Sequence, residues 1–193
     1  MSRSKEFEPE KTLKKAMELF WRKGYLNTSI EELVEHTGVS RYGLYNTFGD
    51  KHALFLSALD VYRTEAVSVL LGPMEAPDAA LPELRGYFDT LVSIAGTPQG
   101  RWGCFGCNTA VELAPFDKAA TEKVKALFQR LTLAFRHALS NAQQRAELPE
   151  SFDVDAYADY LVGVAQGLFV LMRSSTNRGA IQRFISVALV TLT

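Results

Sequence analysis

Apolar residues recur along nearly the whole chain at three- and four-residue intervals, and no stretch keeps the strict alternation of a half-buried strand. Leu13, Ala16, Met17 and Phe20 form the first such stripe, at i, i+3, i+4 and i+7. They predict a helix opening near Pro9 and closed by Gly24. A second helix is expected from Thr28, where Thr28 and Glu31 have capping-box spacing, to Gly38, which supplies the positive φ of a tight turn. Ser40 then caps a short third helix that runs to about Thr47. Asp50 caps a fourth, which carries Ala53, Leu54, Leu56, Ala58, Leu59 and Tyr62 and stops at Gly72-Pro73.

The pattern resumes with helices expected at about 79–95, 104–114, 117–145 and 153–175, and a terminal one from Gly179. A Gly/Pro-rich loop occupies 96–103, and Pro115 stops the 104–114 helix. The fold expected is all-α: a small N-terminal three-helix unit over 1–50, helix four (50–71) as connector, and a larger helical bundle within 51–193.

Composition changes this picture little. The 193 residues are 47% hydrophobic and 22% charged, ordinary for a globular chain, with a formal net charge of −1. Residues 1–51 hold nine Lys/Arg against eight Asp/Glu, so charge alone does not point to nucleic acid. The first twenty residues, with Arg3, Lys5, Lys11, Lys14 and Lys15, contain no secretory apolar core. The longest apolar run, Leu161 to Met172, is interrupted by Gln166 and is too short to span a membrane. Two cysteines are too few for a disulfide-stapled secreted domain. A soluble, cytoplasmic protein without membrane association is expected.

Candidate chemistry begins at the second and third helices. Two short helices joined by a Gly-containing turn, Thr28 to Phe48, have the spacing of a helix-turn-helix. On a helical wheel Leu44 and Phe48 point inward with Ser40. Tyr42 and Asn46 point away, Gly43 and Tyr45 flank them, and Arg41 sits at the shoulder. The outward face of this helix carries no carboxylate and suits base edges and phosphates. The string Gly24-Tyr25-x-x-Thr28-Ser29-Ile30-x-x-Leu33, Gly38-Val39-Ser40, Leu44-Tyr45-x-x-Phe48 and Lys51-x-x-Leu54 resembles the DNA-binding region of TetR-family transcriptional regulators, over about residues 9–60.

That resemblance implies a two-fold dimer on a partly palindromic double-stranded DNA operator, with a small-molecule effector bound among the central helices. By position it makes Arg41, Tyr42, Gly43 and Asn46 base-reading candidates. Thr28, Tyr45, Thr47 and Lys51 become phosphate or flanking contacts, and Ser40 opens the reading helix. Gly43 stands where the family often has a small hydroxyl residue, and Tyr42 where it often has Gly or Pro. The resemblance further implies dimerisation through the 117–145 and 153–175 helices, the latter carrying Gly163-x-x-x-Gly167.

For the effector, the candidates are Phe88, Trp102, Cys104, Phe105, Cys107, Asn108, Glu112 and Phe128, with Tyr87 and Phe135 as neighbouring aromatics. No cofactor or metal is expected: Cys104-x-x-Cys107 offers two ligands where zinc needs four, with only His137 nearby. A thiol at a helix N-terminus can have a lowered pKa, which keeps a redox- or electrophile-sensing repressor open as an alternative. A small helical enzyme using Glu112 or His137 is a further alternative, although no nucleophile–base constellation supports it.

Overall fold

The computed structural model describes residues 7–174 and 177–192. Arg3, Lys5 and the expected helix end at Ser175 lie outside the described residues. Every element within them is helical. The α-helices are α1 (Pro9–Lys23), α2 (Ile30–Thr37), α3 (Arg41–Phe48), α4 (Lys51–Thr64), α5 (Ala66–Leu71), α6 (Leu81–Ile94), α7 (Phe105–Glu112), α8 (Lys118–Gln144), α9 (Val154–Arg173) and α10 (Arg178–Ala188). Short 3-10 turns follow α5, precede and follow α7, and close the described chain.

Helices α1 to α3 pack around Ala16, Phe20, Leu33, Val39 and Leu44, all buried, with Leu13 only half-buried. Phe20 meets Phe55 of α4 edge-on at 5.1 Å, so the core of this unit continues into the next helix. Behind it α8 and α9 lie side by side and share an apolar seam that includes Leu131, Phe135, Leu161, Ala165 and Leu168. Helix α9 is 20 residues long and apolar enough on average to cross a membrane by length and composition. Its buried side chains instead form one stripe of the helical core.

Two expectations need correction. The cap of α2 is Ser29, not Thr28: Ser29 Oγ accepts Glu32 N–H (3.1 Å) and Glu32 Oε2 accepts Ser29 N–H (2.9 Å). Thr28 is wholly buried and donates its hydroxyl to Gly24 O at 2.6 Å. The box is therefore one residue later than the Thr28–Glu31 spacing suggests, because Thr28 is needed to close the turn below it. The connector is also not one helix over 50–71, since it breaks at Glu65 between α4 and α5. The break frees the Arg63 carbonyl, which Arg130 of α8 takes at 2.9 Å while its other nitrogens fork onto Glu75 at 2.6 and 2.7 Å. That guanidinium holds the Glu75 carboxyl below its ordinary pKa.

Ser29→Ala should lower stability by about 1 kcal/mol through loss of the cap, read as the midpoint shift in urea unfolding. An unchanged midpoint would remove Ser29 from the capping role.

Candidate nucleic-acid interface and effector cavity

The reading helix α3 is short and depends on its ends. Ser40 Oγ accepts Gly43 N–H at 3.2 Å, and Gly38, with φ 76°, turns the chain between α2 and α3. Leu44 is fully buried and anchors the inner side. Arg41, Tyr42, Asn46 and Thr47 are exposed, Tyr42 at 80%, which is high for so large a ring. Tyr45 is half-buried, and the Arg41 guanidinium lies 5.4 Å from its ring centroid.

Other predicted residues are placed differently. Gly43 is not simply outward: a Cβ there would come within 2.9 Å of Val39 Cγ1 and 3.3 Å of Phe7 Cε1. A side chain at this position would have to push Val39 aside and crowd Phe7, which is why glycine fits. Lys51 is half-buried, with Nζ 4.4 Å from the Tyr25 ring centroid, and burial lowers its pKa. Thr28 is wholly buried with its hydroxyl on Gly24 O, so its side chain is not on the surface. Helix α2 brings Glu31 to 3.9 Å from Arg41, adding a carboxylate that the wheel of α3 alone does not contain.

The unit is joined to the rest by an unexpected set of contacts. Gly24, with φ 87°, ends α1 and turns Tyr25 and Leu26 so that their N–H groups both reach the Glu112 carboxylate, at 3.0 and 2.9 Å. A Cβ on Gly24 would lie 2.5 Å from that carboxylate. Trp21 Nε1 donates to Gly103 O at 2.9 Å, and its ring packs edge-on against Tyr62 and Trp102. Asn108 Nδ2 donates to Trp102 O at 2.9 Å. His52 pairs with Asp117, the N-cap of α8, at 2.7 Å. Glu112 and Asn108, singled out as effector candidates, thus fasten the joint and line only a surface groove beside Gly24.

A cavity of about 620 Å³ lies between α4–α5, α6 and the 99–103 loop, a size suited to a drug-like molecule. Trp21, Tyr62, Val69, Leu70, Tyr87, Ile94 and Phe169 give it mostly apolar walls, with Glu83, Thr90 and Gln99 as polar positions. None of the eight effector candidates lines it. Phe88 stacks on Phe135 in the core, Phe105 is wedged between Phe55 and Tyr62, and Trp102 lies behind Trp21. Cys104, Cys107 and Phe128 instead line a smaller adjoining pocket. The missed wall was partly legible: Glu83, Gly86, Tyr87, Thr90 and Ile94 follow helical spacing but mix polar and small residues, unlike a core stripe. Trp21 and Phe169 carry no such signal, because they come from distant helices.

The two thiols are buried and free. Cys104 is the N-cap of α7, its Sγ accepting Cys107 N–H and the Tyr62 hydroxyl, each at 3.4 Å. Among the described residues no cluster of three His, Cys, Asp or Glu is arranged to hold a metal.

Comparison with known proteins gives a consistent picture. Residues 13–58 match the family model for bacterial regulatory proteins of the tetR family, and residues 80–188 match that of the tetracyclin repressor-like C-terminal domain. The chain is 31% identical to YezE of Bacillus subtilis, an HTH-type transcriptional regulator, over all of both chains. It is also 31% identical to the HTH-type transcriptional repressor ComR of Escherichia coli, over 98% of this chain and 90% of that one. In fold it is similar to CifR, a TetR family transcriptional regulator seen as a cysteine mutant complexed with 26bp double-strand operator DNA. There the TM-score is 0.84 at 23% identity, covering 99% of this chain and 98% of that one.

Glu112→Ala leaves the Tyr25 and Leu26 N–H groups without their charged acceptor and should cost about 1–3 kcal/mol. Urea unfolding of the variant checks this, and wild-type stability would mean that the carboxylate does not hold the turn.

Proposed function

The chain belongs to the TetR family of bacterial regulatory proteins, and we propose that it is a dimeric repressor, bound to a partly palindromic operator until a small molecule fills the cavity behind its reading head. As the family and the relatives indicate, it is a transcriptional regulator and not an enzyme. The observation that carries the operator reading is the exposed face of α3, where Arg41, Tyr42 and Asn46 stand in solvent on a helix whose other side is locked by Leu44. Arg41 suits guanine O6 and N7, Asn46 suits adenine, and Tyr42 offers its ring to a thymine methyl or sugar. Ser40, Tyr45, Thr47 and Lys51 are placed to fix α3 against the backbone. Residues 1–50 act as the reading head, and 51–193 as the effector and dimer part.

What supports a dimer seam is apolar surface left in solvent. Helix α8 spends its stripe inside the subunit and leaves Leu133 out, whereas α9 and α10 expose Tyr160, Val170, Phe184 and Val187. A Cβ on Gly163 or Gly167 would meet nothing within 4 Å, which leaves room for close helix approach. We therefore assign the seam to α9 with α10 in place of α9 with α8. Burying large exposed apolar side chains is the usual driving force for such association.

Effector release follows from the cavity wall. Trp21 belongs to α1 of the head and also lines the cavity, so a ligand that displaces its ring acts on the head directly. The shift in operator affinity equals the difference in ligand affinity between the two arrangements.

Operator sequences selected from random DNA should lose binding with the Arg41→Ala/Tyr45→Ala variant at fixed salt, while retention would mean that α3 is not the reading helix. Lys51→Ala should flatten the slope of log K against log salt by about one unit per subunit. Val170→Glu with Phe184→Glu should yield monomers in sedimentation, and a persisting dimer would move the seam elsewhere.

A further inference from the structure

The Cys104–Cys107 pair is unused by either the reading face or the main cavity, yet it is the most chemically organised group in the interior. Two donors converge on one buried sulfur, the Tyr62 hydroxyl and the Cys107 backbone N–H, each at 3.4 Å. An N-cap is normally a side-chain oxygen, and a neutral thiol is a poor acceptor for these donors. A thiolate is a good one. Tyr62 belongs to α4, so this sulfur also bridges the connector helix and α7.

The two cysteines border an internal space that adjoins the main cavity. Both cysteines line a pocket of about 30 Å³, and Tyr62, Leu70, Tyr87 and Phe169 belong to its wall and to that of the main cavity. A pocket of that size admits a molecule little larger than water, which favours a small oxidant over a bulky one.

We propose that Cys104 and Cys107 form a hydroperoxide-responsive dithiol, whose oxidation to a disulfide loosens the contact between α4 and α7 and lowers operator affinity. The affinity readout rests on the repressor reading above; the thiol chemistry does not. The Cys104 thiolate attacks the terminal oxygen of the hydroperoxide, forming an S–O bond as the O–O bond breaks. For hydrogen peroxide the leaving hydroxide takes up a proton to become water, and for an alkyl hydroperoxide the leaving alkoxide becomes an alcohol. Cys107 then attacks the Cys104 sulfur, the S–S bond forms, and the S–O bond breaks with loss of water, which carries the Cys107 proton. Two thiols and one hydrogen peroxide thus give one disulfide and two waters, an alcohol replacing one water for an alkyl hydroperoxide.

The pair is polarised in the direction this requires. The Cys107 hydrogen bond, helped by the Tyr62 hydroxyl, lowers Cys104 to about 7 against the opposing effect of burial. Cys107 is pushed up by the bond it makes to Cys104 and by burial, so it keeps its proton until the second step. The attacking thiol is thus the more readily ionised of the two, while the resolving thiol keeps its proton.

The structural consequence is local and directional. A disulfide draws the sulfurs to about 2.05 Å and leaves a neutral sulfur that accepts hydrogen bonds poorly. The Tyr62 hydroxyl then loses its buried partner and α7 loses its N-cap. The last residue of α7 is Glu112, which holds the Tyr25–Leu26 turn of the head, and the first residue of α4 is Lys51 beside the reading helix.

The test uses the full reduced chain treated with hydrogen peroxide or an alkyl hydroperoxide. Mass spectrometry should find both thiols lost together and the peptide spanning 102–118 lighter by two hydrogens. Affinity for a selected operator should fall by about 5- to 150-fold and return on reduction. Cys107→Ser should stop at a sulfenic acid that a dimedone probe captures, and Tyr62→Phe should move the pH profile of thiol loss upward. Thiols that stay alkylatable after excess hydroperoxide would overturn the site. So would an α,β-unsaturated aldehyde that consumes Cys104 alone where hydroperoxide has no effect. A disulfide that forms with operator affinity unchanged would overturn the switch. If the reduced chain selects no operator at all, the repressor reading fails while the mass readout still decides the dithiol.

Discussion

The structure depends on how the end of the first helix is held. Gly24 ends α1, and the exposed N–H groups of the next two residues are taken by one carboxylate from a helix almost ninety residues away. Without that carboxylate the turn would be poorly defined, since hydrogen bonds to a charged acceptor are among the stronger ones and two of them fix it here. With Glu112 in place, and Trp21 bonded to Gly103, the reading head cannot reorient without disturbing α7 and the loop before it. That constraint ties the N-terminal unit to the wall of the cavity behind it through Trp21.

The reading helix obeys the opposite logic. It is too short to be stable by itself, so Ser40, Gly38 and Leu44 fix its position while Tyr42, Asn46 and Thr47 stay exposed. Tyr42 can be 80% exposed because the fold does not require it. Gly43 is the exception on this face, since Val39 and Phe7 leave little room there for a Cβ. A reading surface and its anchoring segment are thus coupled at one residue.

Two cavities share a wall, and that wall contains both Tyr62 and Tyr87. Burial raises both phenols, Tyr62 most directly, and keeps them as hydroxyl donors near neutral pH. Tyr62 is committed to the Cys104 sulfur, which leaves Tyr87 as the phenol for a polar group on a bound molecule. One wall would therefore serve both the proposed reversible ligand and the proposed thiol change, next to the same joint.

The sequence by itself determined the helices, the helix-turn-helix and the exposed set Arg41, Tyr42 and Asn46, because these follow from local periodicity and from caps within a few residues. Local signals were misplaced only where a neighbour competed, as when Thr28 closed its own turn and left the capping box to Ser29 and Glu32. Tertiary structure alone decided the role of Glu112, the cavity formed by Trp21, Tyr62, Tyr87 and Phe169, and the break at Glu65 that Arg130 satisfies. Each of these joins residues dozens of positions apart, and no periodicity records which distant carbonyl, amide or ring will meet a given side chain. A helix face is written in its own segment, whereas a site between helices exists only once they have packed.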